Sequence, residues 1–146
     1  MSSAGEHIQV GEASPRQSWE ALKDGAILDD VRTDAEWAYV GQPALDAGMH
    51  PLISHQWQQF PHMQVDPGFA QSLDDHLQRH DHGKDVPLHF LCRSGVRSLA
   101  AANAMAVRGY TNTFNVTGGF EGDGDGQGHR GTVNGWKVEG LPWRQG

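Results

Sequence analysis

Cysteine is almost missing from this chain: Cys92 is the only one in 146 residues. A lone thiol cannot close an internal disulfide or supply a thiolate zinc cluster, so nothing here demands an oxidising compartment. Positive charge is scarce too, with 11 lysines and arginines against 18 aspartates and glutamates and a formal net charge of -7. That balance offers nucleic acid or an anionic membrane surface no electrostatic hold. No apolar run approaches the ~18 residues of a membrane span. The opening "MSSAGEHIQVGEASPRQ" has no basic stretch leading into an apolar core, so no secretory signal is expected. The expectation is a cytoplasmic protein with neither nucleic acid nor membrane as partner.

Glycine, by contrast, is plentiful at 19 residues, many of them near the C-terminus. The length suits one domain, taken as 1–146. Ser14-Pro15 before "RQSWEALKDG" predicts an N-cap, a first-turn proline and a helix ended by Gly25. Strands are predicted at 26–31, 51–58, 86–92 and 111–116, and a short helix within 32–41. Asp66-Pro67 opens another helix, with Phe69, Leu73 and Leu77 on one face. "VPLHFLC" (86–92) is nearly unbroken apolar sequence, as in a central parallel strand covered on both sides. The helix after it carries Val96, Leu99, Ala100, Asn103 and Val107 on one side and ends at Arg108-Gly109. Strands alternating with helices over short connections predict an α/β domain, a mainly parallel central sheet flanked by helices. The stretch 118–135 is too rich in glycine for regular structure and is expected as a surface loop, after which Trp136 and Leu141 can dock on the core.

The thiol sits where the chemistry of such a fold is concentrated. Ligands of open α/β sheets bind beyond the carboxyl ends of the strands, and Cys92 ends the strand predicted to be central. The chain then enters a helix N-terminus, where free amides and the positive end of the dipole converge. Gly95 lets the backbone curl so that amides turn inward as an anion cradle. Arg93 and Arg97 add full charges. Each of these features favours thiolate over thiol and makes a nucleophile. A cysteine used only for packing needs neither flanking arginines nor this junction.

The loop "CRSGVRS" (92–98) after an apolar strand resembles the active-site loop of the rhodanese family, sulfurtransferases that carry sulfur as a cysteine persulfide. "ILDDVRTDAEW" (27–37) is similar to that family's strand ending in Asp-Val-Arg, followed by a glutamate and an aromatic. "GYTNTFNVTGG" (109–119) and "GWKVEGLPW" (135–143) are similar to its later signatures. The resemblance implies a three-layer rhodanese-like domain and a sulfurtransferase of the thiosulfate sulfurtransferase kind. Cys92 would be the catalytic nucleophile, and Arg93, Ser94, Gly95, Val96, Arg97 and Ser98 the substrate-binding loop. It further implies that Arg97 pairs with Asp30 as a buried brace for the loop, with direct substrate contact as the alternative. Two segments depart from the family pattern: "YVGQPALDAGMHPLISHQWQ" (39–58) and the acidic, glycine-rich insertion within 118–135.

The expected reaction moves a sulfane sulfur from a small anionic donor, such as thiosulfate or a persulfide, to a thiophilic acceptor such as a protein thiol, with no cofactor. One alternative is a persulfide carrier or partner-binding module without turnover. The other is a cysteine phosphatase or arsenate reductase. Related phosphatases space the motif as C-x5-R, whereas Cys92 and Arg97 stand as C-x4-R, a loop that crowds a phosphate.

Nine histidines raise the question of a metal, above all His76, His80 and His82, but "DDHLQRHDH" reads as a solvated helix end and no metal site is expected. A calcium loop through Asp123, Asp125, Gln127 and Gly128 fails because Asn134 stands where a bidentate glutamate belongs. Trp57, His55 and His129 are further candidates for the pocket around the thiol.

Overall fold

In the computed structural model, residues 10–59, 64–124, 126–130 and 133–145 are described; Asp125, part of the calcium-loop pattern, lies outside them. The elements in chain order are β1 (Gly11–Ala13), α1 (Pro15–Lys23), β2 (Ile27–Asp30), α2 (Asp34–Tyr39), β3 (Gln42–Pro43), β4 (Ile53–Ser54), β5 (Gln58–Gln59), β6 (Gln64–Val65), α3 (Phe69–Arg79), β7 (Leu88–Leu91), α4 (Val96–Val107), β8 (Thr113–Val116) and β9 (Trp143–Arg144). Five strands form one sheet in the order β1-β8-β7-β2-β4, and every pairing in it is parallel. β7 is central, as its apolar sequence predicts, and all four of its residues are buried. Two antiparallel pairs, β3 with β9 and β5 with β6, lie outside this sheet. The predicted strand 51–58 is divided between β4 and β5.

Strand alternation splits the core in two. Ile27, Val31, Leu88, Phe90 and Cys92 face Phe69, Leu73 and Leu77 of α3 and Ala101, Ala102 and Met105 of α4. Leu28, Leu91 and Val116 face Trp19 and Leu22 of α1 together with Phe120, Trp136 and Leu141. The C-terminal segment therefore docks as the sequence predicts. Among the described residues no helix is long and apolar enough to cross a membrane.

The helix starts follow local rules. Ser14 and Gln17 form a capping box on α1, with Pro15 in its first turn. Thr33 and Glu36 form another on α2. α4 turns its alanine-rich side inward: Ser98, Ala101, Ala102 and Met105 are buried. The opposite side carries the Val96, Leu99 and Val107 stripe into solvent, with Val96 79 % and Val107 71 % exposed. The branched residues are thus outside, and the serine and alanines inside let the helix lie close on the sheet.

Candidate active site

Cys92 is the first residue after β7, and Gly95, at φ 121, is the N-cap of α4. That backbone region is open to glycine and strained for other residues. The turn between them directs the Gly95 N–H at Cys92 Sγ, 3.0 Å away. Ser98, one turn into α4, places its Oγ 3.2 Å from the same sulfur. Its hydroxyl donates to Asn115 Oδ1 on β8 at 2.5 Å. The thiol is 1 % exposed and lies beside the α3/α4 side of the core, yet it forms part of the wall of an open pocket of about 720 Å³. Among the described residues the backbone amide that hydrogen-bonds Sγ is that of Gly95, where the sequence suggests a wider ring.

The carbonyls of the loop are occupied on the far side. Cys92 O accepts the Phe120 N–H at 2.8 Å, and Arg93 O accepts those of Glu121 and Gly122 at 3.0 and 3.1 Å. In a planar trans peptide the N–H points opposite to the C=O, so these bonds turn the next amides away from the 120–122 segment. Gly119 makes the approach possible. A Cβ there would stand 2.5 Å from Cys92 O and 2.6 Å from Arg93 O, at φ 60. The start of the 118–135 segment is therefore packed beneath the loop, and residues 123, 124, 126–130 and 133 are exposed. Mutual hydrogen bonds between Asp123 and Asn134 close its base.

Five of the residues singled out in the sequence line the pocket: Cys92, Arg93, Ser94, Val96 and Arg97. Gly95 and Ser98 support the sulfur from behind. Asp30 does neither, and the expected Asp30–Arg97 brace is replaced by two separate pairs. Asp30 Oδ1 and Oδ2 accept Arg32 Nε and Nη2 at 2.9 and 2.7 Å, and both side chains are 0 % exposed. An arginine two residues along the chain thus fills the carboxylate first. Arg32 also donates to Gly41 O at 2.7 Å and lies 4.2 Å from the centre of the Phe120 ring. Asp30 therefore anchors the floor beneath the site through Arg32.

Arg97 Nη1 and Nη2 instead donate to Glu36 Oε1 and Oε2, at 2.6 and 2.9 Å. Burial alone would raise the Glu36 carboxyl, but the Arg97 guanidinium and the Thr33 hydrogen bonds overcome it and hold the pKa at about 2. Glu36, a wall of the same pocket, has no role in the sequence reading. Its signal was the capping-box spacing Thr33-x-x-Glu36, which fixes the carboxylate at the start of α2. Asn115 left no local signal, being 17 residues from Ser98. Trp57 packs edge-on against Phe69 at 5.1 Å and His55 lies 4.8 Å from the same ring; neither lines the pocket, whose wall on that side is Gln58. His129 is exposed on the 126–130 stretch.

A parallel α/β sheet with a single thiol at the carboxyl end of its central strand, followed by an arginine-flanked turn into a helix, defines the class. The profile of the Rhodanese-like domain family matches residues 14–123, and the chain belongs to that family. It is 40 % identical to the M. tuberculosis protein Rv0390, whose crystal structure superposes with a TM-score of 0.80, covering 94 % of this chain and 98 % of that one. An uncharacterized protein of Rickettsia prowazekii is 38 % identical over 123 residues, 84 % of this chain and 86 % of the relative. The thiosulfate sulfurtransferase GlpE of Haemophilus influenzae is 31 % identical over 111 residues, 76 % of this chain and 85 % of the relative.

Proposed function

We propose that this protein is a sulfurtransferase that moves a sulfane sulfur from thiosulfate or a persulfide to a thiol acceptor through a persulfide on Cys92. The observation that carries this reading is the sulfur in the wall of the pocket, hydrogen-bonded by the Gly95 amide, 3.2 Å from Ser98 Oγ and bordered by Arg93 and Arg97. Similarity to a thiosulfate sulfurtransferase supports it.

In the first step the Cys92 thiolate attacks the outer sulfur of the donor. An Sγ–S bond forms, the donor's own S–S bond breaks, and sulfite (from thiosulfate) or a thiolate (from a persulfide) leaves with the electron pair. The terminal persulfide sulfur rests against the amides of residues 93–97. An acceptor thiolate then attacks that sulfur, and Cys92 departs as thiolate, ready for another cycle. Arg93, exposed at the mouth, draws in the anionic donor. Arg97 is held by Glu36, so it shapes the pocket wall and adds positive field without following the ligand. Ser98, held by Asn115, packs behind Sγ, and Ser94 and Val96 set what fits beside it.

Sulfur transfer is favoured over phosphate ester hydrolysis because the Arg97 fork, which a phosphatase would close on its phosphate, already grips a carboxylate. Intact-mass spectrometry tests the reading. Incubation with thiosulfate should add about 32 Da, one sulfur atom, on Cys92, and cyanide should remove it with release of thiocyanate. A chain that gains no mass, or a Cys92→Ser variant that gains it equally, overturns the proposal.

A further inference from the structure

The carboxyl ends of the strands hold the thiol; the amino ends hold a second concentration of chemistry. A cavity of about 130 Å³ there is lined by His50, His76, His80 and His82, with Ile27, Leu52 and Ile53 as its apolar wall. Ile27 opens β2 and Ile53 opens β4, so this cavity is at the opposite edge of the sheet from Cys92.

The chain builds the cluster by ordinary helix-end rules. α3 finishes in a Schellman motif: Asp81 takes a left-handed φ of 62, its N–H reaches Gln78 O at 3.0 Å, and the His82 N–H reaches Leu77 O at 2.9 Å. That reversal folds His82 back over the last turn, where His76 and His80 stand one turn apart. The His80 backbone N–H bonds Leu77 O in place of His76 O, four residues back. The His80 ring takes it, Nδ1 donating at 2.8 Å. A carbonyl can only accept, so this bond fixes the proton on Nδ1 and leaves Nε2 with a free lone pair, the arrangement in which imidazoles are held for metals. The fold then adds His50 from the loop before β4. The rings pair as His50–His82, with centres 4.9 Å apart, and His76–His80, with centres 4.4 Å apart.

We propose that these four histidines form a binding site for a divalent transition-metal ion, zinc in the first instance. Two imidazoles sharing one tetrahedral zinc, at about 2.0–2.1 Å from each nitrogen, put their ring centres about 5 Å apart. Both pairs already stand near that spacing. What differs is ring orientation, and among the described residues no group of three such side chains is yet in coordinating position; uptake of the ion would turn the rings inward. The lining has no carboxylate among the described residues. It therefore suits zinc, copper or nickel and offers little to calcium or magnesium.

The test uses the full chain, stripped with a chelator, and zinc ion alone, titrated against a chromophoric indicator. One equivalent of zinc per chain is expected, held equally by Cys92→Ser. Binding should weaken about tenfold or more in His76→Gln and in His82→Phe, which keeps an aromatic ring but no ligating nitrogen. A rise in the unfolding midpoint of the unaltered chain with zinc gives a measurement that needs no variant. Absence of zinc uptake overturns the proposal, as does uptake that vanishes in Cys92→Ser and survives loss of both His76 and His80. None of these readings depends on sulfur transfer.

Discussion

Asp29 and Asp30 are neighbours on β2, both fully buried, and the pleat sends them to opposite faces of the sheet. On the face covered by the C-terminal segment, Asp30 meets Arg32 in a two-point ion pair. On the face covered by α3 and α4, Asp29 lies with the apolar residues, and neither of its carboxylate oxygens has a hydrogen-bond partner. Burial above all, and then the nearby Asp30, raises the Asp29 pKa well above the ordinary value. The comparison teaches what makes a buried charge tolerable here. Two charged pairs near the thiol, Glu36–Arg97 and Asp30–Arg32, are pinned by each other. The carboxyl without a partner is pushed toward its neutral form.

Removing the group that the pinned charges surround should have the largest effect. Cys92→Ser is expected to lower thiosulfate:cyanide transfer by roughly 10³-fold or more while leaving the unfolding midpoint nearly unchanged. Breaking the buried pair should damage the fold instead. Arg32→Met leaves Asp30 alone in the interior and should reduce stability by about 3–5 kcal/mol, read by denaturant unfolding.

Asp29 should behave in the opposite sense. Asp29→Asn is expected to stabilise the protein by about 1–3 kcal/mol near pH 8. Because the folded-state pKa is raised, the penalty on Asp29 is absent below the ordinary carboxylate range and grows as pH rises toward the raised value. The gain from Asn should therefore fade on acidification to about pH 4; a gain independent of pH would refute the account.

Glu36 and Asp74 carry the reverse sign. Asp74 is held at about 2, chiefly by the Tyr110 hydroxyl, which overcomes burial with help from Arg108, Gln78 and Lys84. Glu36 is also at about 2. Their lowered values contribute stability that is present above the ordinary carboxylate pKa and lost as pH falls toward 2. Acid unfolding of the Glu36→Gln variant should accordingly be less steep than that of the unaltered chain. The same variant gives the smallest expected change in function, a drop of about tenfold in kcat/KM, since Arg97 keeps its charge and loses its fixed position. An unchanged kcat/KM would show that Arg97 needs no brace.

Much of this protein was legible along the chain. The capped helix at Pro15, the alternation of strands and helices, the central place of β7, and the thiol at a strand-to-helix turn all follow from spacings of a few residues, and local backbone physics acts over that range. The partner of Arg97 was not legible, because Glu36 is 61 residues away and nothing near either residue states which carboxylate the sheet order brings within reach. The same holds for Asn115 beneath Ser98, for the outward turn of the Val96–Val107 stripe, and for His50 joining three histidines that the sequence places on an ordinary solvated helix end. Local rules set which residues each element presents and in which direction. Only the parallel register β1-β8-β7-β2-β4 decides which of those faces meet, since contact between distant segments depends on how the strands pair and which side of the sheet each helix covers.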